Sequence, residues 1–238
     1  MMEKDGFEII RGVLPEDEAE TLAAAALEEM ETRPHMAHSD AIWRLRLHPN
    51  VLAHFRRLWG VEDIVTSFDG IGISHGKFTL PWHVDQERHS SEMIGLQGIL
   101  ALSNHTAESG GLQLIRGSFE YHSGLVDPCD ADEWEYQEIE TDLESCDVIM
   151  PNLRPGDMCL WDSRTIHRVV TGTTPDVPRI TAYLSFEPRQ AVSRRVALQR
   201  KRGLKWGVST THWVSRFVDR GEARSPPSNI TPEMIAVT

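Results

Sequence analysis

Cysteine is scarce and unpaired in this chain: Cys129, Cys146 and Cys159 are scattered, with no C-x-x-C spacing. That excludes a disulfide framework or a zinc knuckle as the organising device. Long apolar runs are missing too. The longest, LAAAAL, falls far short of the roughly 20 residues a membrane helix needs. The opening MMEKDGFEII is charged where a secretory leader would be basic and then apolar, so a cytoplasmic protein is expected. No repeat, low-complexity tract or Gly/Ser linker divides the 238 residues, which leaves one domain. Basic charge is also short: 24 Lys and Arg face 36 Asp and Glu, a net −12 that would repel phosphate and argues against a nucleic-acid partner.

The acidic excess is local. Residues 126–147 hold ten Asp or Glu and no Lys or Arg, which leaves the rest near neutrality. Residues 189–205 show the reverse bias, with seven Lys or Arg and no acid. Both read first as solvated surface. The sharper alternatives are an acidic lid near a cationic substrate, or two runs that pair across an interface.

Local pattern divides the chain in three. Residues 15–33 predict a helix, opened by proline, acidic in its first turn and rich in helix formers. Residues 48–60 predict a second, with Pro49 near its start and Gly60 as its stop. Six short β-branched or aromatic runs follow: DIVTSFDGIGISH, FTLPWHVDQ, MIGLQGILALSN, GGLQLIRGS, DMCLWDSRTIHRVV and RITAYLSFEP. Gly, Pro, Asn and Asp separate them. No helical stretch lies between them, so a sandwich or barrel of antiparallel strands fits better than a parallel sheet. AVSRRVALQRKRG predicts a C-terminal helix, and the tail ARSPPSNITPEM is expected to be loosely ordered.

Within LPWHVDQE, His83 and Asp85 stand at i and i+2, one face of an extended strand. A late partner is His167, reached through the apolar run after Pro155-Gly156. Two imidazoles and one carboxylate form a facial triad suited to iron(II), with three open positions. Alone, H-x-D is equally a polar strand edge. Glu87 and His89 share the parity of His83, so periodicity leaves the ligand set open, although a turn expected after Asp85 counts against both. His75, His105 and His122 read as solvated. Twelve residues beyond His167, Arg179 opens an apolar strand. Facing inward, it needs a carboxylate partner, which a guanidinium grips through two parallel hydrogen bonds; Thr181, two residues on, adds a hydroxyl. A strand-end surface charge is the alternative.

His83-x-Asp85, His167 and then Arg179, in a chain of short strands, resemble the iron(II)/2-oxoglutarate dioxygenases. SGGLQLIRGSFEYHS (109–123) and PGDMCLWDSRTIH (155–167) resemble the phytanoyl-CoA dioxygenase-like branch. The likeness runs from about Ile9 to Pro188. Arg116 and Phe119 depart from it, standing where the branch favours proline and histidine, and no coenzyme-A site is evident.

The resemblance implies a mainly β fold, a double-stranded β-helix or cupin-like jelly roll, with flanking N- and C-terminal helices. Residues 1–65 would be a mostly helical N-terminal part, 66–187 the jelly-roll core and 188–238 the C-terminal helix and tail. It implies iron(II) on His83, Asp85 and His167, with 2-oxoglutarate as cosubstrate and O2 as oxidant. Arg179 and Thr181 would hold the distal carboxylate. Gln97 is a further cosubstrate contact if its face lines the barrel, and Trp161 packs beside the ligands or in the core. Asp85, where halogenating relatives have lost the carboxylate, favours oxygenation. The expected partner is a small molecule, with no nucleic acid and no membrane, and a homodimer is left open. The rival readings are an iron-dependent cupin-like oxygenase or isomerase that does not use 2-oxoglutarate, and a non-catalytic binding module.

Overall fold

The structure, a computed structural model, describes residues 2–32, 36–75, 78–87, 91–126, 136–139, 143, 145–174 and 176–238. His89, Cys129 and most of the acidic run lie outside these residues. In chain order the elements are α1 (Met2–Asp5), β1 (Phe7–Ile10), α2 (Glu16–Thr32), α3 (Asp40–Arg46) and α4 (Pro49–Trp59), then β2 (Ile64–Thr66), β3 (Ile71–Ser74), β4 (Leu80–Val84), β5 (Leu96–Ala101) and β6 (Gly110–Ile115). They continue with α5 (His122–Leu125), β7 (Gln137–Glu138), β8 (Val148–Ile149), β9 (Met158–Asp162), β10 (His167–Thr171), β11 (Arg179–Pro188), α6 (Arg194–Trp206) and α7 (Pro232–Ala236). No described helix is long and apolar enough to cross a membrane.

The strands form two antiparallel sheets, the layout of a double-stranded β-helix. One runs β1-β9-β5-β11-β2, with β3 also on β11; the other runs β7-β4-β10-β6-β8. The two-residue period of each strand sorts side chains to opposite faces. On β5, Leu96 and Leu100 join the outer core while Gln97, Ile99 and Ala101 turn between the sheets. On β11, Ala182, Leu184 and Phe186 point out, and Arg179, Thr181 and Tyr183 point in. On β4, Val84 packs outside the second sheet, leaving His83 for the interior.

The outer face of the first sheet is covered by α2, α3, α4 and α6, which bury Leu22, Ile42, Phe55 and Leu204 against it. Each such side chain removed from water contributes about 1.5–3 kcal/mol. Local chemistry bounds these helices. Pro49 opens α4, and Gly60 closes it at φ 67°. Ser193 caps α6 through the Val196 amide, and Gly207 ends it at φ 67°, where a Cβ would meet the Pro226 nitrogen at 2.1 Å.

Four sequence expectations change. The run DIVTSFDGIGISH is two strands, β2 and β3, on different parts of β11. The run read as one strand from DMCLW to HRVV is two, β9 and β10, joined by a turn held by the Thr165 amide on Asp162 O (2.9 Å). The first 65 residues are mostly helical but also supply β1, which pairs β9 along Phe7↔Trp161 to Ile10↔Met158. The tail is loose only in part: residues 223–230 form no regular element and are mostly exposed, but Met234 in α7 is buried, and beyond it Val237 is buried, the Thr66 amide donates to Val237 O (2.9 Å), and Arg200 donates to Thr238 O (3.2 Å). Two apolar side chains four residues or fewer apart give a short helix a face to bury, a signal too brief to outweigh the surrounding Pro, Ser and Asn.

Candidate metal centre

Antiparallel pairing of β10 with β4 sets His167 directly opposite His83. Their rings lie 4.2 Å apart between centroids. Asp85 follows β4 by one residue and turns to the same side. Its Oδ1 is 3.7 Å from His83 Nε2, and its Oδ2 is 3.2 Å from His167 Nε2. All three residues are buried, and their ligand atoms lie within 4.8 Å of one another.

Backbone carbonyls fix which nitrogens face inward. His83 Nδ1 meets Pro81 O at 2.8 Å, and His167 Nδ1 meets Thr165 O at 2.9 Å. A carbonyl only accepts, so each Nδ1 carries its proton and each Nε2 offers a lone pair toward the shared space. This is the tautomer a metal ligand requires, held by outer contacts of the usual kind. Burial pushes the His83 imidazole down to about 4, so it is neutral near pH 7. Burial pushes the Asp85 carboxylate up, but the imidazoles of His212, His167 and His83 outweigh it and hold Asp85 far below the usual carboxylate range. The donor set is two imidazoles and one carboxylate, which fits ferrous ion.

Gln97 reaches across from the other sheet. Its Nε2 donates to Asp85 Oδ2 at 2.7 Å, so the amide is engaged with the carboxylate of the triad. Trp161 both joins the core between the sheets and packs on His167, with ring centroids 5.3 Å apart. Arg179 is 4% exposed and lines the same cavity, of about 740 Å3. Among the described residues it has no hydrogen bond and no ion pair, and burial lowers its pKa. Thr181 lies beside it, its hydroxyl 3.3 Å from His105 Nε2.

The readings of His105 and His122 as solvated are overturned. His105 is buried with Nε2 on Ile180 O (3.2 Å), and His122 is buried with Nε2 on Gln86 O (2.7 Å). His105 bridges Leu153 and reaches β11, and His122 opens α5 with its ring on the segment after β4, long-range pairings that local sequence does not reveal. Glu87 is buried but answers Arg216 at 2.6 Å, away from the triad. His75 is exposed, as expected. The described part of the acidic run is not wholly solvated: β7 pairs Glu138 with His83, and the Tyr136 ring packs edge-on at 5.2 Å from the His83 ring. His212, which also lines the cavity, was missed. It stands in STTHWVS, where no periodicity marks it.

These buried imidazoles set an acid limit. Burial lowers His54, His83, His105, His122 and His212, with His83 and His105 at about 4 against an ordinary 6.5. Between about pH 6.5 and 4 the unfolded chain therefore binds more protons, and stability falls as pH falls. Each histidine titrating there contributes a slope of up to about 1.4 kcal/mol per pH unit. Asp69 and Glu187, raised by burial, act in the opposite sense but are fewer. The metal-free protein should melt at a clearly lower temperature at pH 5 than at pH 7.5. Equal melting temperatures would show that these histidines are not held neutral.

The family model described as Phytanoyl-CoA dioxygenase (PhyH) matches residues 4–181. A relative is the Ava biosynthesis cluster protein O of Aspergillus versicolor, 26% identical over 220 residues, with 79% of this chain and 68% of that protein covered. Among solved structures, the epimerase SnoN in complex with Fe3+, alpha ketoglutarate and nogalamycin RO is 21% identical at a TM-score of 0.64, covering 79% of this chain and 80% of that one. EctD from S. alaskensis with bound Fe is 19% identical at a TM-score of 0.60, covering 79% and 75%. The carbocyclase SnoK from nogalamycin biosynthesis is 20% identical at 0.59, covering 79% and 81%. At these identities the likeness is one of fold.

Proposed function

The chain belongs to the phytanoyl-CoA dioxygenase family, a group of iron(II)/2-oxoglutarate-dependent oxygenases, and on that premise we propose that it hydroxylates a C–H bond of a small organic molecule. His83, Asp85 and His167 would hold the iron, and Arg179 with Thr181 the distal carboxylate of 2-oxoglutarate. Iron, 2-oxoglutarate and O2 together supply the oxidising power, with succinate and CO2 as the coproducts.

The observation that carries this reading is Arg179: a buried guanidinium with no partner among the described residues, facing the cavity that the triad also lines. An uncompensated buried charge is costly unless a ligand answers it, and a bidentate carboxylate is its best match. That favours a keto acid over an iron enzyme without one. Thr181 then acts as a donor: His105 Nε2–H points at Ile180 O and the Thr181 oxygen, so the hydroxyl proton is free to turn toward the same carboxylate.

Gln97 supports the other side. By donating to Asp85 Oδ2 it holds the carboxylate in the rotamer that faces His83 and His167. Gln97→Leu should cut turnover about 10- to 100-fold, the usual loss for an outer contact on a metal ligand, with weaker iron retention. Unchanged iron affinity with a raised KM for 2-oxoglutarate would assign the amide to the cosubstrate instead, and no change in either would remove both roles.

The burial of the site excludes bulk water, and the cavity is large enough for the keto acid and a small substrate together. The direct test is succinate formation from 2-oxoglutarate across a metabolite panel, with product mass read in parallel. A gain of one oxygen supports hydroxylation. Succinate formed with an isomeric or dehydrogenated product would retain the cofactors and replace the outcome.

A further inference from the structure

The triad and the keto-acid anchors occupy two sides of the cavity, and a third side is unassigned. Asp69, in the loop after β2, and Thr211 and His212, in the segment after α6, build it. The segment is pinned on every flank. The Thr210 amide donates to Phe68 O at 3.0 Å, and the Phe68 amide to Thr210 Oγ1 at 3.1 Å. The Val214 and Ser215 amides donate to the Glu187 carboxylate at 2.8 and 2.9 Å. The Asp69 loop is fixed by Arg46, which donates to Ala37 O (2.6 Å) and to Asp69 O.

What this rigid frame presents is short of partners. His212 Nε2 and Thr211 Oγ1 are buried and have no hydrogen-bond partner among the described residues. The Asp69 carboxylate, largely buried, has the Gly70 amide at 2.9 Å and only a loose approach from Arg220 at 3.9 Å. Buried polar atoms without partners are rare in folded proteins, and a preformed wall of them is best explained by a ligand that supplies the missing bonds. The Asp85 and Asp69 carboxylates both bear on the His212 imidazole, which puts this wall beside the metal centre. The remaining lining is mixed: Phe78, Leu80, Leu112 and Val169 give it an apolar part, and Tyr183, Ser185, Asp219 and Arg220 a polar one.

Donor and acceptor chemistry sets the ligand class. An ionised carboxylate only accepts, so the group facing Asp69 must donate; a hydroxyl of Thr211 and an imidazole nitrogen can each answer the same group. We infer that Asp69, Thr211 and His212 form the substrate-recognition subsite, taking a hydroxyl or amino group of a substrate whose apolar body rests on the opposite wall. This rests on the reading of the triad as the iron site.

Matched probes test it. The protein is loaded anaerobically with ferrous ion and 2-oxoglutarate, and calorimetry follows the binding of cyclohexanol, cyclohexylamine, benzyl alcohol and benzylamine, each beside its O-methyl or N-acetyl counterpart. Free alcohols or amines should bind at least about 10-fold more tightly than the capped forms, about the worth of one buried hydrogen bond. Asp69→Asn and His212→Gln should each erase that preference. A further loss confined to the amines in Asp69→Asn would identify the cationic group as the one recognised. Undetectable binding of every free probe, equal binding of free and capped forms, or a preference that survives both substitutions would overturn the subsite. Binding of 2-oxoglutarate to the iron-loaded protein is measured in the same samples. Its absence in the unmodified protein would overturn the iron reading, whereas its presence without donor preference overturns the subsite alone. Thermal melting confirms that both variants are folded.

Discussion

Asp85→Ala abolishes turnover, by more than about 1,000-fold, well beyond the roughly 10- to 100-fold that outer contacts of a metal site are worth. Asp85 is the carboxylate between two imidazoles, 3.2 Å from His167 Nε2 and 3.7 Å from His83 Nε2. Without it the donor set carries no charge to offset a dication, and Gln97 loses the acceptor it holds at 2.7 Å. Circular dichroism and thermal melting establish that the variant is folded. Loss of activity with an intact melting transition is the expected pair of results. Full activity of a folded Asp85→Ala at limiting iron would mean that the metal, if any, lies elsewhere.

Arg179→Ala raises the KM for 2-oxoglutarate about 100-fold, equivalent to about 3 kcal/mol, within the range for removing one partner of a buried hydrogen-bonded charge pair. The guanidinium is buried, cavity-facing and without a protein partner among the described residues, so its charge is available to a ligand. Arg179→Lys should recover little, because an ammonium cannot reproduce two parallel donors. At saturating 2-oxoglutarate, kcat should fall far less than kcat/KM, since the interaction is made equally in ground and transition states. An unchanged dependence on 2-oxoglutarate would reassign the arginine to a structural role.

Much of this centre was legible before any coordinates, for a geometric reason. A strand's two-residue period puts His83 with Asp85, Gln97 with Ile99 and Arg179 with Thr181 on shared faces, and each pair does face the interior. Short strands between turn residues also gave away the two-sheet architecture. Parity could not show which atoms would meet. For Gln97, parity gives a face that lines the cavity but not the bond of its amide to Asp85, because β4 and β5 belong to different sheets. His105 and His122 read as solvated in sequence because their partners, the Ile180 and Gln86 carbonyls, lie 75 and 36 residues away. His212 was invisible for the same reason: the bonds that seat its segment run to Phe68 and Glu187, more than 20 residues away. The end of the C-terminal tail looks loose in sequence because burial of Met234 and Val237 depends on a core drawn from the N-terminal helices and from strands as late as β11.

The central claim is that three side chains on and beside two neighbouring strands hold one ferrous ion, which in turn completes the keto-acid site. Anaerobic calorimetry of ferrous ion, followed by 2-oxoglutarate, tests it in the unmodified protein and in Asp85→Ala. The expected result is one iron and one 2-oxoglutarate per chain, the second binding tightly only after the first, and both lost in the variant. Iron uptake unchanged by Asp85→Ala, or 2-oxoglutarate binding indifferent to iron, would contradict it.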